Sequence, residues 1–416
     1  MNSSLASQIT PKKYWGNGEM KSHQSVVYQY IKMPNVEKHY FCLQQNILVL
    51  AWVLFFKKNS LSPVVRPEQD MDFSPKAFVR QMRSYLGLIR SNLRILIVFI
   101  IYKYHRGTGD EVVELPRYGQ VCLHVHKGYK IFDFYRNSVI KVFDQDIDPS
   151  VIQEEIDLLQ QISKFDFAPS LRKWNGGERW YEEELLQGSL DASYTKTLMD
   201  SEIVLPKFHD HVLQRLKTLI LFQEPKSINA VTYLADMTKI LPDSRLATQE
   251  STVQEFKITA NFVDWIVGQF RREGDHQIFL VFTHGDLVPA NMLNTKRGMK
   301  IIDWEGAGYR SVLFDFYSYF FNQVSLREVP VNVLVAEIEG GLPMCISELA
   351  QHTFEISRSL LTLEKFYRWT FYIEMICRLV DRARTDKNLP IMKYLGNYTN
   401  AFIRYEEFFS QKDESN

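Results

Sequence analysis

The sequence predicts an α+β chain of two lobes, an antiparallel sheet followed by a mainly helical lobe, behind an N-terminal extension. Three observations predict it. Three short strand-like runs follow one another at 121–143, separated only by turn residues. An amphipathic helix and one further strand close that group. Nearly everything after residue 190 then has helical periodicity, broken by two apolar strands at 277–284 and 299–305.

At 416 residues, two or three structural units are expected. With 45% apolar and 24% charged residues the composition is globular, and the aromatic fraction of 13% is rich, much of it in the last third. The four cysteines, Cys42, Cys122, Cys345 and Cys377, form no C-x-x-C pair and lie near no suitably spaced histidine. Free buried thiols are expected, not a zinc site or a disulfide framework. Net charge is zero, but residues 1–109 carry 15 Lys/Arg against 5 Asp/Glu, an excess of about +10. The remainder carries the opposite excess. That asymmetry bears on partners, not on fold.

In chain order, residues 1–60 have the pattern of strands and turns leading into the apolar run "ILVLAWVLFF" (47–56). Ten residues are too few to span a bilayer, which takes roughly 20. The start "MNSSLASQITPKKYW" lacks the charged and apolar regions of a signal peptide. A cytoplasmic protein is expected. "SLSPVVRPEQD" (60–70) is a linker pattern. In "SPKAFVRQMRSYLGLIRSNLRILIVFI" (74–100), Lys76, Arg80, Arg83, Arg90 and Arg94 fall within about 40° of one line on a helix. Phe78, Met82, Tyr85, Leu86, Ile89 and Leu93 cover the other side. This basic amphipathic helix, near 75–94, has two readings. It packs on the next domain with a solvated basic face, or it attaches to an anionic membrane surface on the inner face. Nucleic acid is not an expected partner, since no recognition module accompanies the segment.

Polar "RGTGDEVVELPRYGQ" (106–120) places a boundary near 110. The expected division is 1–110 extension, 111–188 sheet lobe and 189–416 helical lobe. "VCLHVH", "YKIFDFYR" and "SVIKVF" are strands with "HKG" and "RNS" as turns. "PSVIQEEIDLLQQISKF" (149–165) is a helix with Val151, Ile152, Ile156, Leu159 and Ile162 on one side, and "RWYEEELL" is a strand after the "NGG" turn.

The chemistry concentrates in "FTHGDLVPANML" (282–293) and "IIDWE" (301–305). An apolar strand ending in His-Gly-Asp delivers the carboxylate of Asp286 to its exit. Asn291 folds back through "LVPA", and Asp303 leaves a second apolar strand. Two carboxylates and an amide oxygen are hard donors suited to magnesium, which takes few protein oxygens together with phosphate oxygens. Phosphoryl transfer asks for such a metal set, a base on the attacking hydroxyl and a cation on the phosphates. Lys141, the one cation inside "SVIKVF", is that cation, and Glu155 on the next helix is its candidate partner, with Glu154 beside it.

"HGDLVPAN" with "IIDWE" resembles the signature of the aminoglycoside phosphotransferase and choline kinase-like family, which has the two-lobed protein-kinase-like fold. The resemblance covers roughly residues 115–390. It implies that Asp286 is the catalytic base, that Asn291 and Asp303 hold Mg2+, and that Lys141, braced by Glu155, meets the phosphates of ATP. It implies that "EELLQG", around Glu184, is the adenine hinge, that His284 orders the catalytic loop, and that Asp315 is a structural aspartate. The sequence departs from kinase patterns in two places. No G-x-G-x-x-G loop is present, only "HKGYK" (126–130), and no Ala-Pro-Glu follows Asp303. The implied function is transfer of the ATP γ-phosphoryl to a hydroxyl of a small molecule, sugar or glycan, in one variant beside the membrane. The competing readings are a kinase-fold binding module without catalysis and an antibiotic-modifying aminoglycoside phosphotransferase.

Overall fold

Eight strands in the order β3-β1-β2-β4-β5-β6-β8-β7 form the sheet of the first of two units in the computed structural model of the chain. The structure describes residues 25–30, 39–57, 89–90, 92–104, 112–125, 127–190, 212–241, 250–327, 330–385 and 391–415. The first unit holds residues 75–149, 172–185 and the start of the chain; the second holds 150–171 and everything from 186 on.

In the first unit, β1 (Val26–Tyr30), β2 (His39–Cys42) and β3 (Val112–Leu115) join β4 (Val121–Val125), β5 (Gly128–Asp133) and β6 (Ser138–Phe143). Strands of the first 110 residues are thus part of the same sheet as those after it. The register sets Tyr28 opposite Cys42, Cys122 opposite Ile131, and Ile131 opposite Ile140. Alternation then gathers Tyr28, Cys42, Cys122, Ile131, Ile140 and Val142 into one buried cluster. β7 (Leu171–Asn175) and β8 (Trp180–Glu184) finish the sheet at β6.

The apolar run at 47–56 forms α1 (Ile47–Trp52), capped by the Asn46 side chain on Leu48 N at 2.9 Å, and continues as a wider turn over Val53–Lys57. Residues 92–104 are helical and run antiparallel beside it. Asn92 Nδ2 donates to Leu54 O at 3.1 Å, and Lys103 Nζ donates to Gln45 O at the other end. Of the basic helix expected from the sequence, Lys76, Arg80 and Arg83 lie outside the described residues, while Arg90 and Arg94 are described and exposed. No helix among the described residues is long and apolar enough to cross a membrane. All four cysteines are free and buried.

The second unit begins with α2 (Pro149–Ile162), which buries Ile152, Ile156, Leu159 and Ile162 at helical spacing. Short α3 (Gln214–Ile220) and α4 (Ala230–Thr238) precede α5 (Glu250–Glu273). The strand β11 (Gln277–Thr283) lies between β10 (Lys226–Asn229) and β14 (Gly308–Ser311). The hairpin β12 (Met292–Thr295) and β13 (Gly298–Ile301) pairs with the two-residue β9 (Ser189–Leu190). Four helices close the unit: α6 (Phe314–Arg327), α7 (Val331–Ala350), α8 (Phe354–Thr385) and α9 (Ile391–Ser415). Their core is aromatic. Phe371 packs 5.6 Å from Phe321 and 5.6 Å from Phe402, and Tyr372 stacks on Phe402 at 4.3 Å. This is the place of the aromatic excess noted in the last third of the sequence, and it fixes α8, whose residues reach the site.

Candidate active site

The site lies where β11 and β13 run out. β11 is buried over its last four residues and ends at Thr283, so His284, Gly285 and Asp286 leave the strand together. Asp315, at the start of α6, catches the first two. Its Oδ2 accepts from His284 N at 2.6 Å and its Oδ1 from Gly285 N at 2.9 Å. Burial pushes the Asp315 carboxyl up from its ordinary range, against the pull of His284, the two amides and Arg310.

His284 is fully buried, and burial drives its imidazole below the usual histidine value, so the ring is neutral. Its Nδ1 accepts from Asp286 N at 3.2 Å, which leaves the proton on Nε2, and Nε2 meets Ile302 O at 3.1 Å. The ring also packs edge-on against Trp304 at 4.5 Å. One histidine therefore ties the Asp286 loop to the residue before Asp303.

The loop then turns back. Val288 N donates to Asp286 O at 2.8 Å, and Asn291 N donates to Val288 O at 2.9 Å. Pro289–Asn291 makes a single tight helical turn. Asn291 Nδ2 donates to Asp286 O at 2.9 Å and lies 3.4 Å from Asp286 Oδ2. The amide nitrogen is thereby engaged on the loop, and Oδ1 is the atom left for a cation. Ile302 N donates to Asn291 O at 2.9 Å, which sets Asp303 next to the loop. Asp303 itself has φ 67° and ψ 59°, a left-handed conformation uncommon for a residue with a side chain. It turns the chain from β13 into the Trp304–Gly306 turn. Such backbone strain clusters at functional sites.

Asp286 is partly exposed, at 28% of its side chain. Burial by itself would raise its carboxyl, but Arg378, His284 and Arg382 together hold it below the ordinary carboxylate range. It is ionised at neutral pH and able to accept a hydrogen bond from a hydroxyl. Arg378, on α8, donates to Gly285 O and lies 3.4 Å from Asp286 Oδ1. Beside it, Arg310 Nη1 donates to Thr283 Oγ1 at 2.9 Å. Buried Glu374 accepts from Ser311 N at 2.8 Å, Ser311 Oγ at 2.5 Å and Tyr233 OH at 2.7 Å.

The structure thus brings Asp286, Asn291, Asp303, His284 and Asp315 together. The other candidates are placed within their own units. Lys141 lies in the middle of β6, fully buried, with Nζ 5.0 Å from the centre of the Phe143 ring. Glu184 ends β8, paired in register with Ser138. On α2, Glu155 is buried with the apolar side while Glu154 is exposed, which separates the two carboxylates that the sequence left side by side. Gly128, the one glycine of "HKGYK", has φ 148° and packs on the Val142–Phe143 backbone, so it serves the β5–β6 contact.

Arg378, Arg310 and Glu374 are not among the residues singled out from the sequence. A signal existed: Glu374 and Arg378 sit four apart inside the run "FYIEMICRLV", whose other members are all buried. A carboxylate and a guanidinium at that spacing in an apolar helix need partners from another element.

Sheet unit, helical unit and acidic loops define the class as a protein-kinase-like α+β fold. Residues 139–340 match the model of the phosphotransferase enzyme family. No curated protein matches the chain. Among solved structures, the chain is similar to an ethanolamine kinase from Plasmodium vivax, at 14% identity and a TM-score of 0.44, covering 75% of this chain and 88% of that one. It is similar to a choline/ethanolamine kinase family protein from Mesorhizobium loti, at 12% identity and 0.43, covering 69% and 87%. It is also similar to a glucosamine kinase solved with glucosamine, ADP and inorganic phosphate, at 12% identity and 0.42, covering 68% and 80%.

Proposed function

We propose that this phosphotransferase moves the γ-phosphoryl group of ATP to a hydroxyl of a small molecule, sugar or glycan. The observation that carries the reading is the shared fastening of two acidic loops. His284 and Asn291 bind the Asp286 loop to the strand end that bears Asp303. Asp286 would accept the hydroxyl proton as the acceptor oxygen bonds to phosphorus and the bond to the ADP oxygen breaks. Its ionised state and partial exposure suit that role.

The donor set fits Mg2+: Asn291 Oδ1 and the Asp303 carboxylate are hard oxygens beside an open carboxylate. When bound, the metal would neutralise charge on the phosphates. The hydrogen bond from Asn291 Nδ2 to Asp286 O orients that amide. Lys141, with Glu155, is the candidate for the ATP phosphates, and the backbone around Glu184 for adenine. Calorimetry with Mg-ATP tests the reading, followed by Asp286→Ala in a screen of hydroxyl acceptors. Nucleotide binding with loss of transfer in the variant is the expected result. Absence of Mg-ATP binding returns the chain to a binding module, and transfer confined to aminoglycosides returns it to antibiotic modification.

A membrane-proximal variant draws on a separate observation in the first unit. Ile89, Leu93, Ile97, Ile100, Ile101 and Tyr104 are all exposed, Ile97 at 58% and Tyr104 at 74%. At about 100° per residue they fall within roughly a 120° arc, opposite the buried Ile95 and Phe99. Exposed Arg94 borders that arc, and exposed Arg90 lies within its edge. An apolar face edged by arginine matches an anionic bilayer surface. Flotation with anionic vesicles should carry the protein, and Leu93→Glu with Ile97→Glu should release it. A dimer that the same pair of changes dissolves would assign the face to a second copy instead.

A further inference from the structure

The Asp286 loop and the turn after Asp303 meet backbone to backbone at two glycines. A Cβ on Gly285 would run into the Gly306 carbonyl and lie 2.6 Å from Arg310 Nη1. A Cβ on Gly306 would lie 3.2 Å from Arg378 Nη2 and 3.7 Å from His284 O. Arg378 Nη1, the other terminal nitrogen, donates to Gly285 O and approaches Asp286 Oδ1 at 3.4 Å. One planar guanidinium therefore packs against both loops at once. Only 16% of its side chain is exposed, and it projects from a stretch of α8 whose neighbours 366–377 are all buried. The helix that carries it cannot move without the aromatic core beneath it.

We propose that Arg378 is a positioning residue of the site, which clamps the Asp286 loop to the Trp304–Gly306 turn and fixes the plane of the Asp286 carboxylate. The assignment rests on the proposed phosphotransfer for its purpose but not for its geometry. With Arg378 at Oδ1 and Asn291 Nδ2 facing Oδ2, each oxygen of Asp286 has a neighbour on a different element. A guanidinium reaches two points in one plane, while an ammonium is a single point charge. Arg310 does not duplicate the role. It contacts Thr283 behind the loop, and its charge is met by Glu374 and Asp315.

Amide hydrogen exchange on the nucleotide-free protein tests the clamp. Arg378→Gln should speed exchange by about tenfold in both 282–293 and 303–308, the loss expected for one charge-assisted hydrogen bond. The β4–β6 strands should be unchanged. Arg378→Lys should loosen the 303–308 turn while holding 282–293 better than glutamine does, and it serves if the glutamine variant does not fold. Mg-ATP turnover with water as acceptor should fall on the order of 10²-fold in kcat, the cost of a misplacement of about 1 Å. KM for Mg-ATP should stay within about threefold, since ground-state binding is spared. Unchanged exchange in either loop overturns the clamp. So does a rise spread evenly over α6, α8 and α9, which marks lost helix packing. The exchange arm needs no nucleotide, so its failure counts against Arg378 alone, whereas an unsubstituted protein without turnover counts against the proposed function.

Discussion

Gly285→Ala is the most direct probe of the loop contact, because the structure supplies its own control. Gly285 has φ 80°, and Gly274, at the end of α5, has φ 93°. Both need the conformation that a Cβ disfavours by roughly 1–2 kcal/mol. They differ in surroundings. Around Gly274 a Cβ meets nothing within 4 Å, while at Gly285 it meets the Gly306 carbonyl and Arg310. Overpacking against the Gly306 carbonyl adds about 1–3 kcal/mol, because a backbone atom cannot swing away as the end of the Arg310 side chain can. Gly274→Ala should then cost about 1–2 kcal/mol and Gly285→Ala about 2–5 kcal/mol, the difference being the loop–turn contact alone. Urea unfolding measures both, read on the transition of the second unit because two units need not melt together. Activity separates them further. Gly285→Ala pushes the Asp286 loop off the Asp303 turn, so phosphotransfer should fall on the order of 10²-fold, with Gly274→Ala unaffected. Two variants equal in stability to within about 0.5 kcal/mol and equal in turnover would refute the packing argument, since additive errors are of that size.

Three further outcomes follow from the same geometry. His284 is buried neutral, with its folded pKa below the unfolded value of about 6.5. Its contribution is complete above that value and is lost as pH falls from there toward the folded pKa. Unfolding free energy should therefore drop with a slope of at most about 1.4 kcal/mol per pH unit below pH ~6.5, and His284→Asn should remove that part of the slope. Lys141→Met keeps the buried stem and removes the charge. The sheet should survive, judged by circular dichroism, while Mg-ATP affinity measured by calorimetry falls at least about tenfold. Phe371→Ala deletes a ring packed against Phe314, Tyr317, Phe321 and Phe402, and should destabilise the second unit by about 3–5 kcal/mol in urea unfolding.

Much of the site was legible because its pieces are local. "HGDLVPAN" places Asp286 and Asn291 five residues apart, and a single tight turn is enough to fold one onto the other. Asp303 follows its strand directly. Helical spacing likewise put Glu155 on the same turn as Ile152 and Ile156. The parts that escaped are non-local or short. β1 and β2 reach their places only by pairing with β3 and β4 far along the chain, and no local pattern specifies that partner. β10 "KSIN" and β14 "GYRS" are four polar-rich residues each, strands because β11 lies between them. β7 "LRKWN" is exposed at three of five positions and lacks the alternation that marks a half-buried strand.

The cations of the site escaped for a further reason, which also explains their arrangement. A buried guanidinium is tolerable only with a carboxylate opposite it, and its partner here comes from elsewhere in the chain. Arg310 sits among Glu374 and Asp315, each of which also binds backbone amides. Those two carboxylates are spent on structure, and burial pushes both up from their ordinary values. Asp286 is the carboxylate that Arg378 faces, and it binds no backbone amide through its side chain among the described contacts. It therefore keeps its charge at the exposed edge while its neighbours fix the frame. Exchanging the roles shows the logic. Asp315→Asn turns an amide nitrogen toward the His284 or Gly285 N–H, leaving one buried donor unsatisfied at about 1–3 kcal/mol. Asp286→Asn strands no backbone group and should cost the fold far less, while removing the partly exposed carboxylate proposed to meet a hydroxyl.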